Sequence, residues 1–157
     1  MDKLKLSTAN LVILIAGVVM LIASFLAFNK ISARSFVISG VKFGGGSHSY
    51  SAWSSHYFLI ATIPALLGIV MAAQVAVAAF ASGVKLPEKV LGLSWTQIHL
   101  VLGFQATIMM LAFLIQDTSG SDKGIGLFLM LLAAIALLVG AVLRMQEKPS
   151  GSTPPAY

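Results

Sequence analysis

Most of the polar side chains that lie far from any loop belong to one apolar stretch of the chain, SWTQIHLVLGFQATIMM. An imidazole can ligate a metal, carry a proton or form hydrogen bonds, whereas amides and hydroxyls act mainly through hydrogen bonds. Buried groups of these types either join neighbouring helices or belong to a ligand-binding or proton-linked site. Both interpretations stay open for four candidates, which are Gln97, His99, Gln105 and Thr107.

Helical spacing divides these candidates between different faces of one helix. His99 and Thr107 are separated by two intervals of four residues, so they share a face. Gln97 and Gln105 point to other sides. The preceding apolar stretch contains Gln74, which an antiparallel helix pair would bring to the depth of the early residues of the third stretch. Gln74 is therefore the predicted hydrogen-bond partner across this helix interface.

The three histidines do not form a haem or metal site. A b-type haem needs axial ligands such as two histidines on facing helices at similar depth. His48 and His56 precede the second apolar stretch, whereas His99 lies near the start of the third. The two groups should therefore be separated by about 20 Å along the bilayer normal. The chain has no cysteine, and no residues have the spacing of metal ligands. The sequence predicts no cofactor and no metal.

The sequence also lacks the residue patterns of a catalytic site or an ion-coupled carrier. Asp117 and Asp122 are loop residues, and the apolar stretches contain no Asp, Glu, Lys or Arg. An ion-coupled carrier usually needs a carboxylate inside the membrane. The glycines of Gly44–Gly46 are not followed by the Lys-Ser/Thr pair of a phosphate-binding loop. These features predict a protein that is not an enzyme.

Four long apolar stretches must position the polar residues. They cover about residues 9–28, 57–82, 94–115 and 125–143. Each is close to the roughly 20 residues that a helix needs to cross a bilayer core about 30 Å thick. The hydrophobic fraction of 58% and the mean hydropathy of +0.95 agree with a membrane protein. We predict an all-α membrane protein of the cell membrane, with a four-transmembrane-helix bundle over residues 1–148 in contact with membrane lipids.

The basic residues indicate the membrane topology, because they lie in loops and at the ends of the apolar stretches. The net charge of +5 therefore does not indicate a nucleic-acid partner. An even number of spans puts both termini on one side. Six Lys or Arg residues would lie on that side and four on the other, and this predicts cytoplasmic termini. The six are Lys3, Lys5, Lys85, Lys89, Arg144 and Lys148, and the four are Lys30, Arg34, Lys42 and Lys123.

One long loop, residues 29–56, separates the first two stretches and would face outward. Its segment RSFVISGVKFGGG alternates like one or two short strands and ends in a glycine turn. The loop either caps the bundle or contacts a partner. The candidates for partner contact are Arg34, Phe36, Phe43 and Trp53. After the last stretch, residues 149–157 are rich in Pro, Gly and Ser and predict a flexible tail.

Small residues predict how the helices pack, since lipid tails do not drive apolar helices together. Gly68, Ala72 and Ala76 repeat at intervals of four in the second stretch, and Ala136 and Gly140 have the same spacing in the fourth. We therefore expect the second helix to be central and the fourth to pack through its inner half. Proline in the first turns of the second helix should loosen them.

The layout resembles two groups of proteins. Four spans with a long loop before the second resemble tetraspan proteins such as claudins, but SAWSSHYF has a tryptophan without their cysteines. The Ala/Val/Leu/Gly-rich spans and the Pro-Ser-Gly tail resemble small actinobacterial four-span accessory membrane proteins. Some of these are subunits of Mce-type lipid importers, and others belong to mycobacterial respiratory supercomplexes. The resemblance implies an accessory subunit of a larger membrane complex, first a lipid transporter and alternatively a respiratory supercomplex. A homo-oligomeric transport protein that binds lipids or small molecules is the competing class.

Overall fold

The structure, a computed structural model, describes residues 6–81, 83–84, 86–87, 89–116 and 120–147. The predicted tail 149–157 lies outside these residues, as do several lysines of the topology count. The fold is mostly helical, with small antiparallel sheets. The described residues form four helices, α1 (Thr8–Ser24), α2 (Ile63–Phe80), α3 (Trp95–Ile115) and α4 (Ile125–Gln146). They also form seven short strands, β1 (Asn29–Ala33), β2 (Phe36–Ile38), β3 (Val41–Phe43), β4 (Gly46–Tyr50), β5 (Lys89–Val90), β6 (Leu93–Ser94) and β7 (Ser121–Lys123).

Three helical segments are long and apolar enough to cross a membrane, and this fits a membrane protein. They are α3, α4 and the continuous segment Ser55–Phe80, which includes α2. Helix α1 is apolar but has 17 residues, so its length is about 25 Å. It ends before the predicted boundary because Phe28 N–H donates to the Tyr50 carbonyl (2.7 Å) and joins the sheet instead.

Helix α4 is the best-covered element of the bundle. It packs along its whole length between α1 and α3, while α2 packs mainly against α1 and lies diagonally from α4. The expectation that the second helix is central and that the fourth packs through its inner half was therefore wrong. The reason is the larger buried face of α4, whose inward residues are Gly126, Leu127, Met130, Leu131, Ala133, Ala134, Leu137, Gly140 and Ala141.

The small residues lie where helices approach most closely within the chain. A Cβ on Gly17 of α1 would lie 3.1 Å from the Gly68 carbonyl oxygen and would overlap Ala72 of α2. A Cβ on Gly140 of α4 would lie 2.7 Å from the side chain of Ile13. Two further members of the predicted stripes, Ala76 and Ala136, are half-buried. The stripe of α2 thus packs against α1 of the same chain.

The two ends of the bundle differ. At the capped end, β4, β1 and β7 form an antiparallel sheet in that order, with Asn29 opposite both Tyr50 and Lys123. At the terminal end, where α1 begins and α4 ends, β5 and β6 form a small hairpin between α2 and α3. The predicted strands of the long loop are present as the β2–β3 hairpin.

The start of the apolar segment Ser55–Phe80 shows the loosening expected from proline. A 3₁₀ turn over Ser55–Tyr57 is followed by a π-helical turn over Phe58–Thr62, before α2 begins. Because Pro64 has no N–H, it cannot bond to the carbonyl four residues earlier. The Ile63 N–H instead reaches the Phe58 carbonyl, one residue further than in an α-helix.

Candidate functional site

Three helices bring polar side chains together at the terminal end. The Arg144 guanidinium donates through Nη1 to His99 Nδ1 (3.2 Å) and to Gln74 Oε1 (3.5 Å). His99 is 1% exposed and Gln74 is 8% exposed, whereas Arg144 is only part-buried. We call these three residues the terminal polar cluster. It joins α2, α3 and α4 through charge-assisted hydrogen bonds.

Helix geometry explains why the cluster forms. Gln74 lies near the end of α2, His99 lies one turn into α3, and Arg144 lies in the last turn of α4, so all three are at similar depth. The sequence reasoning identified Gln74 and His99 but missed Arg144, which it counted only as a topology charge. The spacing could have revealed it, because Arg144 follows the buried Gly140 by four residues and therefore lies on the inward face of α4.

The cluster has more hydrogen-bond donors than acceptors. Because His99 Nδ1 accepts from arginine, the ring proton is on Nε2, and this buried N–H has no partner among the described residues. Both contacts of Arg144 use Nη1, so its Nε and Nη2 groups make no hydrogen bond within the described part of the chain. The nearby carboxylate of Glu147 accepts instead from the Ala9 N–H (3.4 Å).

The other polar candidates of α3 do not join the cluster. Thr107 Oγ donates to the Gly103 carbonyl one turn earlier (2.8 Å) and is thereby satisfied inside its own helix. Gln97 forms a capping box with Ser94, and its Oε1 accepts from the Ser94 N–H (2.9 Å). Gln105 is exposed on the helix surface. The structure therefore unites only Gln74 and His99 of the five predicted polar residues.

At the capped end, a polar network ties separate loops together. Asn29 Nδ2 donates to the Tyr57 hydroxyl (2.6 Å) and to Ser121 Oγ (3.2 Å). Asn29 Oδ1 accepts from the Lys30 N–H (2.9 Å). Asn29 is 2% exposed, and its amide oxygen and nitrogen are both paired. Since both the nitrogen and the oxygen of the Asn29 amide are paired, we assign this network to holding β1, β7 and the segment Ser55–Phe80 in place.

The β2–β3 hairpin extends from this cap with an exposed apolar surface. Its Ser39–Gly40 turn has φ values of 51° and 79°, which is the type I′ geometry of a two-residue hairpin. Because side chains alternate along strands, one face carries four apolar residues. This apolar hairpin face consists of Phe36, Ile38, Val41 and Phe43. All four are exposed, and the two phenylalanine rings stack with centroids 5.9 Å apart.

The predicted contact residues of the loop therefore occupy two places. Phe36 and Phe43 lie together on the hairpin face, and Arg34 precedes the hairpin in the chain. Trp53 lies elsewhere: its Nε1 donates to Ser24 Oγ at the end of α1 (2.9 Å), and its ring is 5.8 Å from that of Phe25. Trp53 thus belongs to the junction between the helix and the cap.

The bundle surface also has apolar grooves. One, of about 300 Å³, lies between α1 and α4 and is lined by aliphatic side chains. An all-apolar groove on the outside of a bundle suits an acyl chain or another helix, because it has no polar group to orient a polar substrate. Its lining residues are Val12, Ile15, Ala16, Val19, Leu132, Ala133 and Ala136.

Metal-ligating side chains do not cluster in the described ranges: no group of three or more His, Cys, Asp or Glu residues could hold an ion there. Comparisons of the chain with protein-family models, with curated proteins and with solved structures find no match. The functional interpretation therefore depends on the terminal polar cluster, the apolar hairpin face and the surface grooves.

Proposed function

We propose that the chain crosses the membrane four times, with α1 as a short first span and both termini in the cytoplasm. Contacts at both ends of α1 support this proposal. At the terminal end the Ala9 N–H donates to Glu147, and at the capped end Gly124 N–H donates to the Phe28 carbonyl (3.0 Å). Helix α1 and the residues that follow it thus extend alongside all of α4, which is long enough to cross a membrane.

Cysteine labelling tests the orientation. With the termini inside, a Ser47→Cys variant should react with an impermeant thiol reagent in intact cells, because residue 47 lies in the outer loop. A Ser152→Cys variant should react only after the membrane is permeabilised. The chain has no native cysteine, so each signal comes from one site. The reverse pattern would show that the six-to-four charge count gives the wrong orientation.

We further propose that the protein is a non-catalytic accessory subunit of a larger membrane complex, first a lipid transporter and alternatively a respiratory supercomplex. The observation that carries this proposal is the apolar hairpin face. Two stacked phenylalanines, an isoleucine and a valine lie in a hairpin outside the helical bundle and are all exposed. A folded, exposed apolar surface of this kind is typical of a site of protein–protein contact.

The position and charge of the hairpin favour a protein partner with an acidic surface. Strand β1 leaves the bundle at Asn29 and ends at Ala33, so it spans about 13 Å, more than the 5–7 Å of one headgroup layer. The hairpin thus lies at the far end of the β1–β4 ladder from the helices. Residues 29–56 carry three cations, Lys30, Arg34 and Lys42, and no carboxylate. Two copies would repel each other there, whereas an acidic partner would be attracted.

A homo-oligomeric protein that binds lipids is the second candidate function. The observation that favours it is the apolar groove between α1 and α4, which an acyl chain or a helix of a second copy could fill. The two functions differ in what purifies with the chain from native membranes. A lone homo-oligomer with bound lipid would support the second candidate, and a fixed ratio to larger identified subunits would support the first.

Replacement of the apolar hairpin face tests the first function. A variant with Phe36→Ser, Ile38→Thr, Val41→Thr and Phe43→Ser should insert and melt like the wild type, because none of these side chains is buried in the bundle. We expect it to lose more than nine-tenths of the partner subunits that co-purify stoichiometrically. A residue-specific cross-link from position 36 should identify the protein in contact.

The opposite face of the same hairpin provides the matched control. Val37 is 65% exposed and pairs with Lys42, so Val37→Thr changes an apolar strand residue without touching the proposed contact. This control should retain the full complement of subunits. Co-purification of the four-residue variant at the wild-type ratio would refute docking through the hairpin.

A further inference from the structure

The terminal polar cluster has the composition of an anion site. Arg144 has Nε and Nη2 donors that make no hydrogen bond in the described residues, and the His99 Nε2–H beside it is also unpaired. The two acceptors present, Gln74 Oε1 and His99 Nδ1, are both used by Nη1. A part-buried cation with spare donors is satisfied best by an oxyanion that accepts several hydrogen bonds at once.

The depth of Arg144 selects the class of anion. Arg144 lies about 29 Å along α4 from Ile125, which is nearly the thickness of the hydrocarbon core. Its guanidinium therefore lies at the boundary between acyl chains and headgroups when α4 crosses the membrane. The next residue, Met145, is 54% exposed and extends the apolar surface beside it. A phosphate that approaches Arg144 is thus flanked by apolar surface.

The neighbouring carboxylate of Glu147 attracts Arg144 electrostatically but makes its hydrogen bond elsewhere. The Glu147 carboxylate accepts from the Ala9 N–H and thereby caps the start of α1. The sequence adds Lys3, Lys5 and Lys148 close to the same helix termini. Segments 1–7 and 144–157 together carry four basic residues against two acidic ones, Asp2 and Glu147, so their formal side-chain charge is +2, and this favours a phosphate over a cation or a neutral headgroup.

We propose that the terminal polar cluster binds one phosphate group, with the free guanidinium edge of Arg144 as the direct contact. His99 and Gln74 act as positioning residues, since they hold Nη1 and so turn the remaining donors outward. The phosphate can come from an anionic phospholipid headgroup or from free inorganic phosphate. This inference does not depend on the hairpin or on the proposed accessory function.

Native mass spectrometry of the full chain in maltoside detergent tests the site. The probes are phosphatidylglycerol and, as a phosphate-free lipid of equal chain length, digalactosyl diacylglycerol. We expect the wild type to retain one phosphatidylglycerol with about tenfold preference, the effect of one charge-assisted hydrogen bond. Arg144→Gln should abolish the preference. Arg34→Gln removes the same charge from the outer loop and should leave the preference unchanged.

A second arm distinguishes the source of the phosphate. Inorganic phosphate at millimolar concentration, compared with chloride at equal ionic strength, is added to the lipid-free protein during thermal unfolding. A phosphate-dependent rise in the melting temperature that Arg144→Gln removes identifies free anion as the ligand. Arg144-dependent retention of phosphatidylglycerol without such a rise identifies the lipid headgroup.

A conservative variant keeps the test decisive if Arg144→Gln does not fold. Arg144→Lys retains the charge but loses the planar fork, so we expect about threefold weaker retention of phosphatidylglycerol at an unchanged melting temperature. His99→Gln, which keeps an acceptor for Arg144, should retain the preference. The proposal is overturned if neither phosphatidylglycerol nor inorganic phosphate binds in a way that depends on the side chain at position 144.

Discussion

Gly124→Ala should cost about 3 kcal/mol or more of unfolding free energy, because the added Cβ has no room at the capped end. A Cβ at this position would overlap the Ala27 carbonyl and lie 3.1 Å from the Phe28 carbonyl carbon. Both neighbours are backbone atoms that cannot rotate away. They are also fixed by hydrogen bonds, since the N–H groups of Gly124 and Gly126 donate to the Phe28 and Ala27 carbonyls (3.0 and 2.9 Å).

The consequence should extend beyond one contact. Gly124 lies where the end of α1, the β1–β7 ladder and the start of α4 meet, so pushing these backbones apart also loosens the Asn29 network. We expect the thermal midpoint of the detergent-solubilised protein to fall by about 10 °C. Gly46→Ala is the matched control, because a Cβ there meets no atom within 4 Å. Equal melting temperatures for the two variants would show that the backbone at the capped end can shift to accommodate the added Cβ.

The long helices were predictable because their signal is local. Runs of apolar residues longer than a bilayer core determine α3, α4 and the segment that contains α2, whatever the rest of the chain does. The β2–β3 hairpin was predictable for the same reason, since alternation and a Ser-Gly turn are present within FVISGVKF. In both cases the residues that carry the pattern are adjacent in sequence.

The capped end was not predictable because its strands have no local signal. β1 (NKISA) and β7 (SDK) are short and largely polar, and they pair only because the bundle brings the end of α1 beside the start of α4. The early end of α1 has the same origin, as Phe28 is buried in this cap and its N–H donates to the Tyr50 carbonyl. Long-range pairing of this kind depends on the tertiary arrangement of the helices.

The same limit applies to the terminal polar cluster. Depth arguments placed Gln74 near His99, and the structure does bring them to one point. They do not bond to each other, because Arg144 supplies the donor for both. A basic residue in the last turn of a helix is normally interpreted as a topology signal, and only its spacing from Gly140 indicates that it faces inward.

The polar groups at the two ends of the bundle thus differ in role: we expect a structural role at the capped end and a binding role at the terminal end. At the capped end the buried Asn29 amide is fully paired, which suits a rigid support for the hairpin. At the terminal end, within the part of the chain that the structure describes, the buried His99 retains an unpaired donor, and Nε and Nη2 of the neighbouring Arg144 make no hydrogen bond. Because Arg144 is only part-buried, its spare N–H groups can donate to an oxyanion from outside, and the terminal end is where we expect an external group to bind.

A double-mutant cycle across His99 and Arg144 should measure how much of this cluster is structural. His99→Leu removes one acceptor of the guanidinium, so we expect the free energy of unfolding to fall by about 1–2 kcal/mol. This value lies between those of typical hydrogen bonds in membranes and of hydrogen bonds to charged groups. His99→Gln retains an acceptor and should cost less than about 0.5 kcal/mol. Arg144→Leu should cost a similar amount to His99→Leu, because it leaves His99 and Gln74 without their donor.

The variant that carries both leucines should be more stable than the sum of the single effects predicts, by about 1 kcal/mol. The reason is that it contains neither a His99 without its donor nor an Arg144 without that acceptor. Thr107→Val on the same α3 face is the control, because its hydroxyl bonds only to the Gly103 carbonyl and should not couple to Arg144. Strictly additive effects of His99→Leu and Arg144→Leu would show that the 3.2 Å contact contributes nothing to folding. A measured coupling, together with loss of phosphatidylglycerol retention in Arg144→Leu and weakened retention in His99→Leu that His99→Gln restores, would assign Arg144 to binding and His99 to positioning.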